Sequence, residues 1–198
     1  MNVLRCHGVL RRLGAPPLGT SGAWPGSLAG AGAPAVRLLS LVTSEDKKRV
    51  MFVCKRNSCR SQMAEGWAKA IAHDQLIIQS SGLEGSRVHP TAELVMGEVG
   101  VDITTHTSDY LSSFQPTQFD AVVSMCGCGT SLPPAWQKAP VFEDWDLEDP
   151  DGKPLDTFRR VRGEVKEHVE SLVERVITGD SSAAPIPKAR HHESSGEC

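Results

Sequence analysis

Cys54 and Arg60 bracket a short turn in the stretch Val50-Met-Phe-Val-Cys-Lys-Arg-Asn-Ser-Cys-Arg-Ser61, between an apolar run and a helical pattern. A strand, a tight turn and a helix N-terminus in that order aim several backbone N–H groups at one point, a geometry that binds a tetrahedral oxyanion. Lys55, Arg56, Asn57, Ser58, Cys59 and Ser61 make up the rest of this cradle. Arg60 would add a planar fork of donors to two oxyanion oxygens. Cys54, at the base of the cup, would be held as an anionic nucleophile by the same donors and the helix dipole, with the Ser61 hydroxyl as one more donor. The plainer alternative is a small apolar cysteine ending a core strand, with Ser61 as a helix cap. Lys55 and Arg56 either raise the local positive potential or are solvated loop charges. Asn57 either holds the loop through its side chain or is a turn residue in the left-handed conformation.

The elements that position these groups read as follows. Met63, Ala64, Trp67, Ala70 and Ile71 recur at helical spacing after the cradle. Leu76–Gln79 reads as a short buried strand and residues 80–87 as a loop. Pro90 fits the first turn of a helix with Leu94, Val95 and Val99 on its apolar face and Gly100 at its stop. Residues 101–118 show no clear period. Phe119–Met125 is a third strand running into Cys126-Gly-Cys-Gly129, and Pro140–Glu143 a fourth, followed by an acidic loop with Asp149-Pro150. A long amphipathic helix from about Leu155 presents Phe158, Val161, Val165, Val169, Leu172 and Val176, and Gly179 ends it. This alternation predicts an α/β fold, a single three-layer domain with a four-stranded parallel sheet covered by helices on both faces. Cys54, Cys126, Cys128 and Asp149 each follow a strand, so they would converge on the carboxyl-end rim where such sheets place their sites.

The 198 residues carry a net charge of −3, which implies no nucleic-acid or anionic-membrane partner, and no apolar run is long enough to span a bilayer. Four of the six cysteines fall in two short clusters, a pattern of reactive thiols in a reducing compartment rather than a secreted scaffold. Residues 1–44 contain Arg5, Arg11, Arg12 and Arg37 without an acidic residue. That composition predicts an organelle transit peptide, mitochondrial or plastid; Arg37-Leu-Leu-Ser40 resembles a mitochondrial processing site, which implies cleavage before Ser40, and a disordered cytosolic extension is the alternative. The catalytic domain is expected over 45–179, and 180–198 read as a disordered tail.

The segment Cys54-Lys-Arg-Asn-Ser-Cys-Arg-Ser-Gln-Met-Ala-Glu-Gly66 resembles the loop of low-molecular-weight protein tyrosine phosphatases and of the arsenate reductases built on that fold. Cys126-Gly-Cys128, Phe142-Glu-Asp-Trp145, Glu148-Asp-Pro-Asp-Gly152 and Phe158-Arg-Arg-Val-Arg162 are similar to the reductase branch, most of all to its cyanobacterial type, over about Arg49 to Ile177. The resemblance implies Cys54 as nucleophile on As(V), Arg60 and the loop amides as stabilisers of the added charge, and Asp149 as general acid. Crowding by Asp146, Glu148 and Asp151 would help Asp149 hold a proton; an ordinary Asp-Pro turn is the alternative. Cys126 would then attack Cys54 and release arsenite, and Cys128 would take over the oxidation, unless glutathione enters as a mixed disulfide. Glutathione with glutaredoxin is the implied electron source, ahead of thioredoxin, with no bound cofactor and no metal site. A half zinc site at Cys126 and Cys128 is the competing reading, although His106 and Cys59 are not at finger spacing. Cys59 is either a packed loop residue or the partner of Cys54 in a protective disulfide. Asn57, Glu65, Ser80 and Asp109 match a potassium-linked network of some such reductases, or form a plain hydrogen-bond network. Trp145 is expected to pack, with a place in the pocket wall as the further option. A phosphomonoester or phosphotyrosine phosphatase using the same Cys54, Arg60 and Asp149 is the alternative activity, and a non-enzymatic As(III)- or metal-binding protein a third.

Overall fold

The computed structural model describes residues 47–125 and 132–180; the predicted transit peptide, Cys126, Cys128 and nearly all of the predicted tail lie outside the described residues. Four strands, β1 (Arg49–Cys54), β2 (Ile77–Gly82), β3 (Ala121–Ser124) and β4 (Val141–Asp144), form one sheet in the order β2-β1-β3-β4. All three pairings are parallel. Three helices, α1 (Arg60–Ala72), α2 (Pro90–Gly97) and α3 (Leu155–Thr178), connect or follow them.

β1 is central because its residues can be buried on both faces. Val50, Phe52 and Cys54 join a core with Met63, Ala64 and Ala68 of α1, Val95 of α2, and Val161 and Val165 of α3. Met51 and Val53 point the other way, into a smaller core with Leu111, Phe119, Val122, Leu132 and Trp136. Among the described residues the layer on that second face is made of loops and 3-10 turns at Leu111–Ser113, Pro116–Gln118 and Trp136–Lys138 rather than of a long helix. The alanines of α1 let α3 lie close, and each large apolar side chain that α3 buries contributes about 1.5–3 kcal/mol. Gly179 ends α3 in the left-handed conformation with φ +73°, and Lys48 Nζ donates to the Val176 carbonyl at 2.7 Å, a cation on the helix C-terminus. No described helix is long and apolar enough to cross a membrane.

Two boundaries differ from the sequence reading. β2 continues through Ser80, Ser81 and Gly82, which pair with Phe52, Val53 and Cys54; their turn-like composition hid a strand end whose side chains serve the site. α2 stops at Gly97, and Gly100, with φ +77°, belongs to the turn beyond. The buried face of α2 is Ala92, Val95 and Met96, while Leu94 and Val99 are 56% and 40% exposed.

Candidate active site

β1 delivers Cys54 at its last position, and residues 55–59 bring the chain round into α1, where Arg60 is the first residue. The turn closes because buried Asn57 takes φ +49°, a region asparagine tolerates. The Asn57 amide donates to the Ser80 carbonyl at 3.2 Å, and its Oδ1 accepts from Ser61 Oγ and Gln62 Nε2, both at 2.9 Å. Gln62 Nε2 also donates to the main-chain oxygens of Asn57 (3.1 Å) and Thr107 (2.8 Å).

The carbonyls of the turn are all engaged from outside it. Cys54 O, Lys55 O and Ser58 O accept from the N–H groups of Leu83 (3.3 Å), Glu84 (2.8 Å) and His89 (3.0 Å), and Cys59 O from that of Met63 (2.9 Å). Arg56 O accepts from Ser108 Oγ and Asn57 O from Gln62. With the carbonyls turned out, the amide side of the turn faces the cup, and Asn57 N donates to Cys54 Sγ at 3.1 Å. Ser61 Oγ lies 3.0 Å from the same sulfur. Gly82 makes the close approach of β2 to this turn feasible: a Cβ there would stand 2.7 Å from Asn57 N and 2.8 Å from the Arg56 carbonyl carbon.

Across the cup lies the loop between β4 and α3. Arg60, only 6% exposed, donates to the Leu147 carbonyl at 2.8 Å and to Asp149 Oδ2 at 2.7 Å. Asp149 Oδ1 accepts from Asp151 N at 3.2 Å, so the Asp-Pro turn and the site carboxylate are the same feature. Lys55, Arg56, Ser58, Cys59 and Asp151 line the cavity together with Cys54, Arg60 and Asp149. The structure therefore brings Cys54, Arg60, Ser61 and Asp149 together from two loops 89 residues apart.

Several expectations meet specific geometry. The acidic crowd does not press on Asp149 as bare charge: Glu148 pairs with Lys153 and Arg160, and these cations hold its carboxyl below the usual carboxylate range. Asp151 pairs with Arg56 at 2.6 Å, so Arg56 is not simply a free cradle charge. Trp145 does not line the cavity; it packs between Phe52 and His168 and donates to Glu143 at 2.7 Å. Cys59 is buried, and that burial pushes its thiol up to about 12, with the charges of Asp149, Asp151 and Cys54 acting in the same direction. Asn57, Ser80 and Glu65 are linked by hydrogen bonds, but the Asp109 carboxylate accepts from Thr107 and only its main-chain oxygen meets Gly82. Lys69 Nζ also donates to Glu65 Oε1. His106, which the sequence leaves without a partner, lies 3.0 Å from Gln62 Oε1. Gln62, Gly82, His89 and Asp151 hold the site in ways not assigned from the sequence, where Gly82 counts only within a Gly82-Leu-Glu likeness to the reductase branch and Asp151 only as a neighbouring charge; a glutamine on the buried side of a helix start was a further available signal.

Cys126 and Cys128 lie outside the described residues, but Met125 N donates to the Val53 carbonyl at 2.9 Å, so the chain leaves β3 beside the strand end that carries Cys54.

Residues 49–181 match the model of the low molecular weight phosphotyrosine protein phosphatase family. The chain is 57% identical over 129 residues to the glutaredoxin arsenate reductase of Synechocystis sp., covering 65% of this chain and 98% of that protein. It is 44% identical over 134 residues to arsenate reductase 2 of Staphylococcus haemolyticus, covering 66% of this chain and 99% of that protein. Among solved structures it is similar to an arsenate reductase in the phosphate binding state, with a TM-score of 0.63 and 57% identity over 65% of this chain and 98% of the other. It is also similar to the low molecular weight protein tyrosine phosphatase of T. tengcongensis, with a TM-score of 0.58 and 27% identity over 65% of this chain and 99% of the other. The chain belongs to the low molecular weight phosphotyrosine protein phosphatase family, alongside these arsenate reductases.

Proposed function

We propose that this chain reduces arsenate to arsenite, with glutathione and glutaredoxin supplying the electrons. The 57% identity to a glutaredoxin arsenate reductase carries the reading, and the cradle of amides around Cys54 supports it, since arsenate has the shape and charge of phosphate. The Cys54 thiolate attacks arsenic, the As–S bond forms, and an As–O bond breaks as Asp149, protonated once the oxyanion draws Arg60 away from it, gives that proton to the departing oxygen. Arg60 and the turn amides stabilise the charge gathered on the remaining oxygens. Cys126 then attacks Cys54 Sγ. The S–S bond forms, the S–As bond breaks, and its electron pair stays on arsenic, which leaves as arsenite. Attack of Cys128 on Cys126 frees the Cys54 thiolate and leaves a Cys126–Cys128 disulfide, which glutathione and glutaredoxin reduce. Departure of the chain from β3 next to Val53 supports this relay.

The test is arsenite formed from arsenate by purified residues 45–198, with glutathione plus glutaredoxin in one arm and thioredoxin in the other. Turnover confined to the thioredoxin arm would overturn the proposed reductant, and hydrolysis of p-nitrophenyl phosphate without arsenite would favour a phosphatase. Residues 1–44 are further proposed as a transit peptide on their arginine-rich, acid-free composition. A reporter fused after residue 44 should enter an organelle and be shortened; an untrimmed cytosolic reporter would contradict this.

A further inference from the structure

Asp151 is not accounted for by the chemistry above, yet the site grips it in addition to Leu147 and Asp149 of the same loop between β4 and α3. Its Oδ2 accepts from Arg56 Nη2 at 2.6 Å, and its Oδ1 lies 3.5 Å from His89 Nε2. The main chain of Arg56 and the ring of His89 are themselves held. Arg56 lies in the cradle, with its carbonyl held by Ser108. His89 is the N-cap of α2: its main-chain N–H donates to the Ser58 carbonyl at 3.0 Å, and its Nδ1 accepts from Thr91 N at 3.1 Å. That acceptance leaves the ring proton on Nε2, the atom turned toward Asp151. The ring also packs on Phe158 of α3, with centroids 5.2 Å apart. Asp151 N in turn donates to Asp149 Oδ1, so whatever holds Asp151 also orients the Asp149 carboxylate.

We propose that Arg56, His89 and Asp151 form a clasp that holds the Asp149 loop across the Cys54 cradle, with Asp151 as a positioning residue for proton delivery. The role in turnover rests on the arsenate-reductase reading; the clasp itself does not. Without it the loop keeps its tie to Arg60, but that guanidinium is also the group needed by the oxyanion, so closure and substrate binding would compete for one side chain.

The test compares the full chain with D151A, R56A and the double variant, by amide hydrogen exchange over 146–153 and by steady-state arsenate reduction. Each single variant should speed exchange in that loop, and the double variant should be no faster than D151A, because one interaction has been removed twice. D151A should lower kcat by about 10- to 100-fold, the scale of a misplaced catalytic group, with KM changed far less. Unchanged loop exchange, additive effects in the double variant, or an unchanged kcat in an active enzyme would each overturn the clasp. If D151A does not fold, R56A probes the same contact from the cradle side. Should the parent chain form no arsenite at all, the functional reading fails, while the exchange data still decide whether the clasp exists.

Discussion

Ser61 Oγ stands 3.0 Å from Cys54 Sγ and 2.9 Å from Asn57 Oδ1, and a hydroxyl has one proton to give. When Cys54 carries its own proton, it can donate to Ser61, and Ser61 can donate to Asn57. When Cys54 is anionic, Ser61 turns its proton to the sulfur, and Asn57 Oδ1 keeps Gln62 as a donor. The cradle can thus serve both forms of the nucleophile without moving its backbone. S61A removes this adjustment. A hydrogen bond to a charged group contributes about 1.5–3 kcal/mol, so the first chemical step should slow about tenfold or more. Iodoacetamide labelling of Cys54 at neutral pH should slow with it, and equal labelling rates in S61A and the parent would count against a donor role for Ser61.

The relay makes a separate claim on the second cysteine cluster. C126S and C128S should each abolish sustained arsenite production while leaving oxyanion binding in the cradle intact, read as protection of Cys54 from alkylation by added phosphate. Full multiple-turnover reduction by either variant would reject the route through these thiols.

Cys59 should behave unlike Cys54 although only four residues lie between them. Burial pushes its thiol up from its ordinary value to about 12. A folded-state thiol that resists ionisation binds more protons than the unfolded chain at alkaline pH, so its contribution to stability is lost as pH rises above about 9. Two results follow. At pH 8 iodoacetamide should modify Cys54 well before Cys59, as peptide mapping can read. In C59A, stability should fall less steeply above pH 9 than in the parent, as urea titrations at several pH values can show.

How far the site could be read before any coordinates depends on whether its partners are close in sequence. The Cys54–Arg60 turn was legible because one stretch carries strand, turn and helix start. α3 was legible from its apolar period, and Gly179 from its position at the end of it. Ser80–Gly82 were misread because serine and glycine signal a turn, whereas here they pair with β1 so that Asn57 and Arg56 can lie against them. The ion pairs that neutralise the acidic loop were invisible, since Arg56 and Asp151 are 95 residues apart and composition cannot match one charge to another.

Gly82 gives the most direct stability prediction. An added methyl would meet backbone rather than a flexible side chain: Asn57 N and Glu84 O both lie 2.7 Å from the Cβ position. Neither can withdraw without disturbing the cradle, so G82A should cost about 1–3 kcal/mol, as overpacking does. The loss of arsenate turnover should exceed what the unfolded fraction explains; a variant of parental stability and activity would show that β2 can shift without cost.

His106 sets the acid side of the stability profile. Gln62 has its Nε2 committed to Asn57 and Thr107, so its Oε1 is the atom presented to His106 Nδ1. Nδ1 must therefore carry the proton, which leaves Nε2 bare toward Lys69 Nζ at 3.4 Å. A second proton would have to enter beside that ammonium, in a half-buried ring. Burial is the larger cause, and together with the Lys69 charge it outweighs the attraction of Glu65 and Asp102 and lowers the histidine below its ordinary value. The unfolded chain then takes up a proton that the folded chain refuses, so stability falls as pH drops through about 6.5 toward the folded-state value. H106N removes the titrating ring while keeping a short donor for Gln62. Its urea midpoint should decline less than that of the parent between pH 7.5 and 5.5, and parallel declines would mean that His106 is not held neutral by this arrangement.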